Sequence, residues 1–412
     1  MRNILSVIVL IVALGQGSKA QFTDRGRLYV DTLCSSYFWG RGYTNEGCNR
    51  TAYYLEDRFD HFKLEKLGNS YFQEFPSNFN TFPFECEVER NGQSLRTGVD
   101  FQPHPASGPG RGVFKPIYID SVTGQLPVIK ERAMVFVPKV WLDKQANKSD
   151  FIDSLVQFYP LALEAGTQLT WSVDGYQTPN PIIEVKSDKF WGVEKLRMRI
   201  AAVLEKNYYI KNVVGVVKGT QYPDSFLFLT AHYDHLGGMG EKIYIPGAND
   251  NASGTAMLLT LAEYFSKNPL KYSIVFVAFA GEEAGLLGSK YFVDHSPVDL
   301  KRIKFLFNLD LMGTGADGAT VVNATLFEGA FAQLADINQR GGYLKTLNKR
   351  GEAANSDHYF FTLKGVPSFF MYLQDSQYTA YHRVSDRPAD LPLTRFSATA
   401  ELLIKFYQQL GL

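Results

Sequence analysis

The chain has 412 residues, and 42 Lys and Arg balance 42 Asp and Glu, for a formal net charge of zero. With no basic stripe and no block of like charge in the sequence, nucleic acid and anionic membrane surfaces are excluded as natural partners. The length suits about two domains at ~150 residues each.

In chain order, Arg2 is a positive start, Ile4 to Leu14 is an apolar run too short to span a bilayer, and Ser18-Lys19-Ala20 supplies the small residues a signal peptidase reads. Residues 1–20 are therefore expected to be a signal peptide, leaving an exported protein that starts at Gln21 with no stable membrane insertion. Export permits disulfides, and the three cysteines are Cys34, Cys48 and Cys86. Cys34 with Cys48 is the favoured pair because both lie in one short segment, although the sequence does not fix the pairing. Asp24 to Leu67 has helical stretches around the turn Gly40-Arg41-Gly42, with Asn49 to Phe62 the clearer helix.

Near Phe84 the texture changes. CEVERNGQSL alternates apolar and polar residues around Asn91-Gly92, a hairpin signal. Strands are expected at Gly112 to Ile119, Ala133 to Val137, Gln168 to Trp171 and Pro181 to Val185, with a helix at Phe151 to Leu163. Trp191 to Lys206 reads as a helix and Val213 to Lys218 as a strand. Further on, helices are expected at Ala252 to Asn268, Glu328 to Gln339 and Thr394 to Leu410, the last with Leu402, Leu403, Phe406 and Leu410 on one face.

The chemistry concentrates after Phe226. The apolar runs Phe226 to Thr230, Ser273 to Ala280 and Ile303 to Leu309 read as strands buried on both faces, and each ends in polar residues. The first delivers His232 and Asp234, the second Glu282 and Glu283, the third Asp310. Open α/β sheets keep their sites at such C-terminal strand ends. Asp250 precedes a helix that Asn251 or Ser253 can cap, and His382 follows the run Val366 to Tyr372. Imidazole and carboxylate without cysteine suit zinc, and an excess of carboxylate suits two metals sharing one of them. His232 and Asp234 alternate along an extended segment, so Asp234 can hold one imidazole nitrogen while the other binds metal.

HYDH, NDNASG, GEEAGLLGS, NLDLMG, SDH and YH, in this order from about Asn212 onward, resemble the M28 family of dizinc aminopeptidases. The resemblance implies two zinc ions per chain, one bound by His232 and Asp310 and the other by Glu283 and His382, with Asp250 bridging them. It implies that Glu282 is the general base toward the attacking water, that Asp234 orients His232, and that Tyr381 donates to the oxyanion. His358, in Ser356-Asp357-His358, would lie on the substrate side of the cleft, the alternative being a satisfied structural histidine. The implied fold is α/β, a three-layer α/β/α sandwich around a mixed, mostly parallel sheet with a smaller inserted β-rich domain. Its expected parts are an N-terminal helical portion at 21–90, an inserted protease-associated-like domain at 91–188 and the catalytic domain at 189–412.

The expected activity is removal of N-terminal residues from peptides. A glutaminyl-peptide cyclotransferase shares the fold but works with one zinc. A non-catalytic binding homologue would have lost ligands, and none is lost. Side-chain preference and oligomeric state are not legible.

Overall fold

The computed structural model describes residues 21–126 and 132–410, and the expected signal segment falls outside them. Four parallel strands lie side by side at the centre of a nine-stranded sheet, in the order Tyr272–Phe279, Tyr222–His232, Ile303–Asp310 and Ser368–Gln374. Their near-continuous apolar sequences have a simple cause, since both faces of this sheet are covered. Leu227, Leu229, Ala231, Phe305 and Phe307 point into a core shared with the helices Gly47–His61, Gly254–Lys267, Glu328–Gly341 and Phe396–Leu410. The alternate residues Phe226, Phe228, Val275, Val277 and Leu306 point the other way, onto Leu287–Asp294 and His358–Leu363. There Phe228, Phe279, Phe292 and Phe361 form a ring cluster with neighbouring centroids 5.8 to 6.1 Å apart. Each such buried side chain contributes about 2 kcal/mol by removal from water. The result is a three-layer α/β/α sandwich.

A second, eight-stranded sheet includes Cys86–Arg90, Gly110–Tyr118, Ala133–Val137, Leu161–Glu164, Ile182–Val185 and Leu196–Ile200. A two-strand antiparallel ribbon joins it to the first. Phe72–Thr81 pairs with Val203–Val217 in the large sheet, and the same two segments run on as Cys86–Arg90 paired with Leu196–Ile200 in the small one.

That ribbon overturns the helix expected over Trp191 to Lys206. In Leu196–Ile200 the residues Leu196, Met198 and Ile200 are buried while Arg197 and Arg199 face outward, a period of two that fits only a strand. Across the ladder Arg197 meets Glu89 at 3.3 Å and Arg199 meets Glu87 at 3.9 Å, pairs that a helix would have separated. The 21–90 portion is likewise only partly helical, because Phe72–Thr81 is a strand and Cys86–Arg90 already belongs to the small sheet. Strands of that sheet thus run from Cys86 to Ile200, wider than the expected 91–188. The helix expected at Phe151 to Leu163 is confined to Lys148–Val156, since Pro160 cannot continue it and Leu161–Glu164 is a strand. Gln168 to Trp171 makes no ladder at all. All three cysteines are free and buried, which overturns the Cys34–Cys48 pair. The Cys48 thiol instead meets the Tyr233 hydroxyl at 3.5 Å, and Cys34 the Pro246 carbonyl at 3.4 Å.

Candidate metal centre

The parallel registry brings the chemistry to one end of the large sheet. His232 is the last residue of its strand and Asp310 the last of the neighbouring one, with Thr230 level with Asn308. Glu282 and Glu283 follow the strand on the other side of His232, just past Gly281. Asp250 lies in the turn Ala248–Ser253, where the Asn251 side chain accepts from Gly254 N at 2.9 Å and donates to the Leu309 carbonyl at 3.0 Å. One asparagine therefore starts the helix Gly254–Lys267 and ties its turn to the Asp310 strand. His382 comes from the loop after Ser368–Gln374.

Asp250 stands between two groups of donors. Its Oδ1 lies 3.5 Å from His232 Nε2, which is also 3.5 Å from Asp310 Oδ1. Its Oδ2 lies 3.1 Å from His382 Nε2, which is also 3.1 Å from Glu283 Oε2. Ligands 2.0 to 2.1 Å from a tetrahedral ion sit about 3.3 Å from one another, so both groups have the spacing of ligands around a cation. His232 Nε2, His382 Nε2 and Asp310 Oδ1 are all buried without a hydrogen-bond partner. Burying Asp250, Glu282, Glu283 and Asp310 together also calls for compensating positive charge. By spacing, orphaned donors and charge, these residues fit a pair of divalent ions.

The electrostatics point the same way. Burial pushes the Glu282 carboxyl far above the usual range, and nearby Asp357 and Glu283 add to it. Glu283 is held well below that range, because His382 and His235 outweigh its burial. Burial also raises Asp310, against the pull of His232. Although burial opposes it, Glu283 lifts His382 to about 11, and Glu282 and Asp310 likewise lift His232.

Asp234 occupies a different post from the one expected. His232 Nδ1 lies 3.2 Å from the Asp234 backbone carbonyl and 3.8 Å from its carboxylate. The carboxylate accepts from Tyr43 OH at 2.9 Å, Glu282 N at 3.2 Å and Glu283 N at 3.4 Å, so it anchors the two-glutamate loop. His358 is also not where the resemblance put it. It is fully buried against Phe370, with ring centroids 5.3 Å apart, and burial lowers it to about 4. No part of it reaches the cleft. Tyr381 does: it is 55% exposed, its ring stacks on His382 at 3.9 Å, and it lines a cavity of about 490 Å³ with Asp250, Leu311, Thr314, Tyr372 and Tyr378.

Three positions that sequence reasoning did not single out hold the candidate ligands. His235, the second histidine of HYDH, has Nδ1 2.6 Å from Glu283 Oε1, a hydrogen-bond distance too short for two ligands of one ion. It fixes the oxygen that Glu283 turns away from His382. Asp386 accepts from Asn249 N at 2.9 Å, Asp250 N at 3.1 Å and Tyr378 OH at 2.6 Å. Arg41, completely buried, donates to the carbonyls of Tyr233, Pro246, Gly247 and Asp250 at 2.7 to 3.2 Å. Gly247 has φ 59, and a Cβ there would collide with the Asp250 carbonyl, the His235 ring and the Arg41 guanidinium. Only the second histidine of HYDH left a signal in the sequence. Arg41 and Asp386 are single residues most of whose partners lie far away in the chain.

An α/β sheet with a cation-shaped donor set at its C-terminal strand ends defines the class of protein. Residues 212–407 match the sequence profile of peptidase family M28, and this part of the chain belongs to that family. Aminopeptidase YwaD of Bacillus subtilis is 34% identical over 173 residues, 40% of this chain and 36% of that protein. A probable zinc metalloprotease of Leptosphaeria maculans is 36% identical over 107 residues, 26% of this chain and 25% of that protein. The chain thus spans between a quarter and about a third of the length of these curated relatives. Among solved structures, BSAP, a zinc aminopeptidase from Bacillus subtilis, superposes with a TM-score of 0.68 at 18% identity, over 94% of each chain. A peptidase M28 precursor from Shewanella amazonensis gives 0.70 at 13% identity over 97% of each. At these identities the superpositions establish the fold.

Proposed function

We propose that this chain is a zinc-dependent metallo-aminopeptidase that removes N-terminal residues from peptides. The observation that carries the reading is the division of Asp250, one carboxylate oxygen toward His232 and Asp310 and the other toward His382 and Glu283. Two zinc ions held there would polarise the scissile carbonyl and acidify water. Glu282 carries the proton from the attacking water to the leaving amine, a task suited to a carboxyl whose burial has raised its proton affinity. His232, Asp310, Glu283 and His382 would hold the metals, while Asp234 keeps Glu282 and Glu283 in place through their amides. The cavity beside Asp250 takes the terminal side chain of the substrate. Within this reading the small sheet is an inserted, protease-associated-like unit. Export through residues 1–20 belongs to the same proposal, and no helix among the described residues is long and apolar enough to cross a membrane.

A panel of aminoacyl anilides and their N-blocked counterparts tests the reading. Hydrolysis of the free-amine substrates alone, lost to a chelator and restored by zinc, is expected. Cyclisation of N-terminal glutamine with one metal equivalent would instead identify a cyclotransferase, and inertness toward every substrate a binding homologue.

Tyr381 adds a finer expectation. Its phenol, stacked on a metal-ligand imidazole at the cleft wall, donates to the developing oxyanion. A single such donor is worth ~10² to 10³ in kcat. Tyr381→Phe keeps the ring, so kcat is expected to fall by that factor with KM and metal content little changed. Activity within a few-fold of wild type would make the tyrosine a packing residue.

A further inference from the structure

The loop 165–181 crosses from the small sheet to the metal centre. Within it Trp171 and His382 exchange two hydrogen bonds: Trp171 N donates to the His382 carbonyl at 3.0 Å, and His382 Nδ1 lies 2.9 Å from the Trp171 carbonyl. A carbonyl can only accept, so the proton is on Nδ1. With Nδ1 committed to that carbonyl, Nε2 is the nitrogen that faces Asp250 and Glu283 and can give its lone pair to a cation between them. His232 receives the same service from the Asp234 carbonyl, only two residues away. His382 receives it from 211 residues away, in a loop tied to the other sheet.

Trp171 is itself firmly seated. Its indole is buried, Nε1 donates to the Pro103 carbonyl at 2.9 Å, and the ring packs on Phe82 at 5.9 Å. The preceding carbonyl, of Thr170, accepts from the Gln102 side chain at 2.9 Å. Both tethers end on the small-sheet strand Phe101–Pro103. On the other side, His382 has φ 56, a left-handed conformation that a residue with a Cβ adopts only when its surroundings impose it.

We propose that Trp171 is a positioning residue for the metal ligand His382, so that the small sheet completes one of the two metal sites instead of merely shielding the cleft. The inference rests on the metallo-aminopeptidase reading. Carbonyl and carboxylate partners that orient a ligand histidine typically govern 10- to 100-fold in metal affinity.

The test is chelator competition on purified full-length protein, with Trp171→Ala, Trp171→Phe and Phe136→Leu compared with wild type. Phe136 lies in the same small-sheet core, and its replacement reports general destabilisation. The Trp171→Ala protein is expected to hold one of its two metals 10- to 100-fold more weakly and the other unchanged, with a shifted cobalt spectrum at the weakened site. Trp171→Phe keeps the ring and loses the Pro103 tether, and is expected to fall between. Phe136→Leu is expected to lower Tm with both affinities intact. Wild-type affinity at both sites in Trp171→Ala would overturn the proposal, as would equal weakening in Phe136→Leu. Wild-type protein that binds no metal would overturn the underlying reading instead.

Discussion

Glu282→Gln is expected to abolish peptide hydrolysis while the protein keeps its full metal content. The two adjacent glutamates sit in opposite electrical settings. Glu283 is ringed by imidazoles, with His382 at 3.1 Å and His235 at 2.6 Å, and is held ionised. At Glu282 the pull of His232 is outweighed by burial, with Asp357 and Glu283 adding to it, so its proton affinity is raised. The first is built to hold a cation and the second to carry a proton. Amide for carboxyl at Glu282 preserves size and the amide bond to Asp234, so only proton transfer is lost, an effect of about 10² to 10⁴ in kcat. Glu283→Ala is expected to lose metal as well as activity. Elemental analysis beside kcat separates the two, and a Glu282→Gln protein with near-normal kcat would remove Glu282 from the mechanism.

The second large effect is expected at Asp250. Each of its oxygens faces a different imidazole, so Asp250→Ala weakens both metal sites at once, whereas His232→Ala or His382→Ala weakens one. Metal bound per chain in Asp250→Ala should fall below that of either histidine variant, with turnover at background. The backbone around Asp250 is held independently, through its amide to Asp386 and its carbonyl to Arg41, so the loop is expected to keep its path without the carboxylate. Retention of one tightly bound metal in Asp250→Ala would contradict a shared ligand.

The centre of this fold was readable because each of its strands carries its own signal. Phe226 to Thr230 and Ile303 to Leu309 are apolar on both faces because helices cover both sides, and polar ligands punctuate their ends. Such signals are local, needing only a few adjacent residues. The linking ribbon was misread because Leu196–Ile200 alternates for only five residues before running into Val203–Val217, and the combined stretch mimics a charged helix. Asp234 was assigned to His232 by spacing, yet the nearer carbonyl of the same residue took that place. Such a contest between backbone and side chain leaves no trace in residue type. His358 proved to be the structural histidine, and the sequence left that choice open because a His beside an Asp looks alike whether it faces a cleft or a phenylalanine.

Arg41 bears on the order in which the molecule can assemble. Apart from Leu33, its carbonyl partners are Tyr233, Pro246, Gly247 and Asp250, from 192 to 209 residues further along the chain. During synthesis from the N-terminus the guanidinium leaves the ribosome long before these acceptors exist, and the whole small sheet is made in between. The N-terminal helices can form early, but their final seat waits for the 246–250 turn, and contacts of such sequence separation close slowly. A nascent chain halted before residue 246 has neither the turn nor the candidate metal ligands that follow it. Its buried arginine stays in water until the same turn that carries Asp250 arrives to take it in.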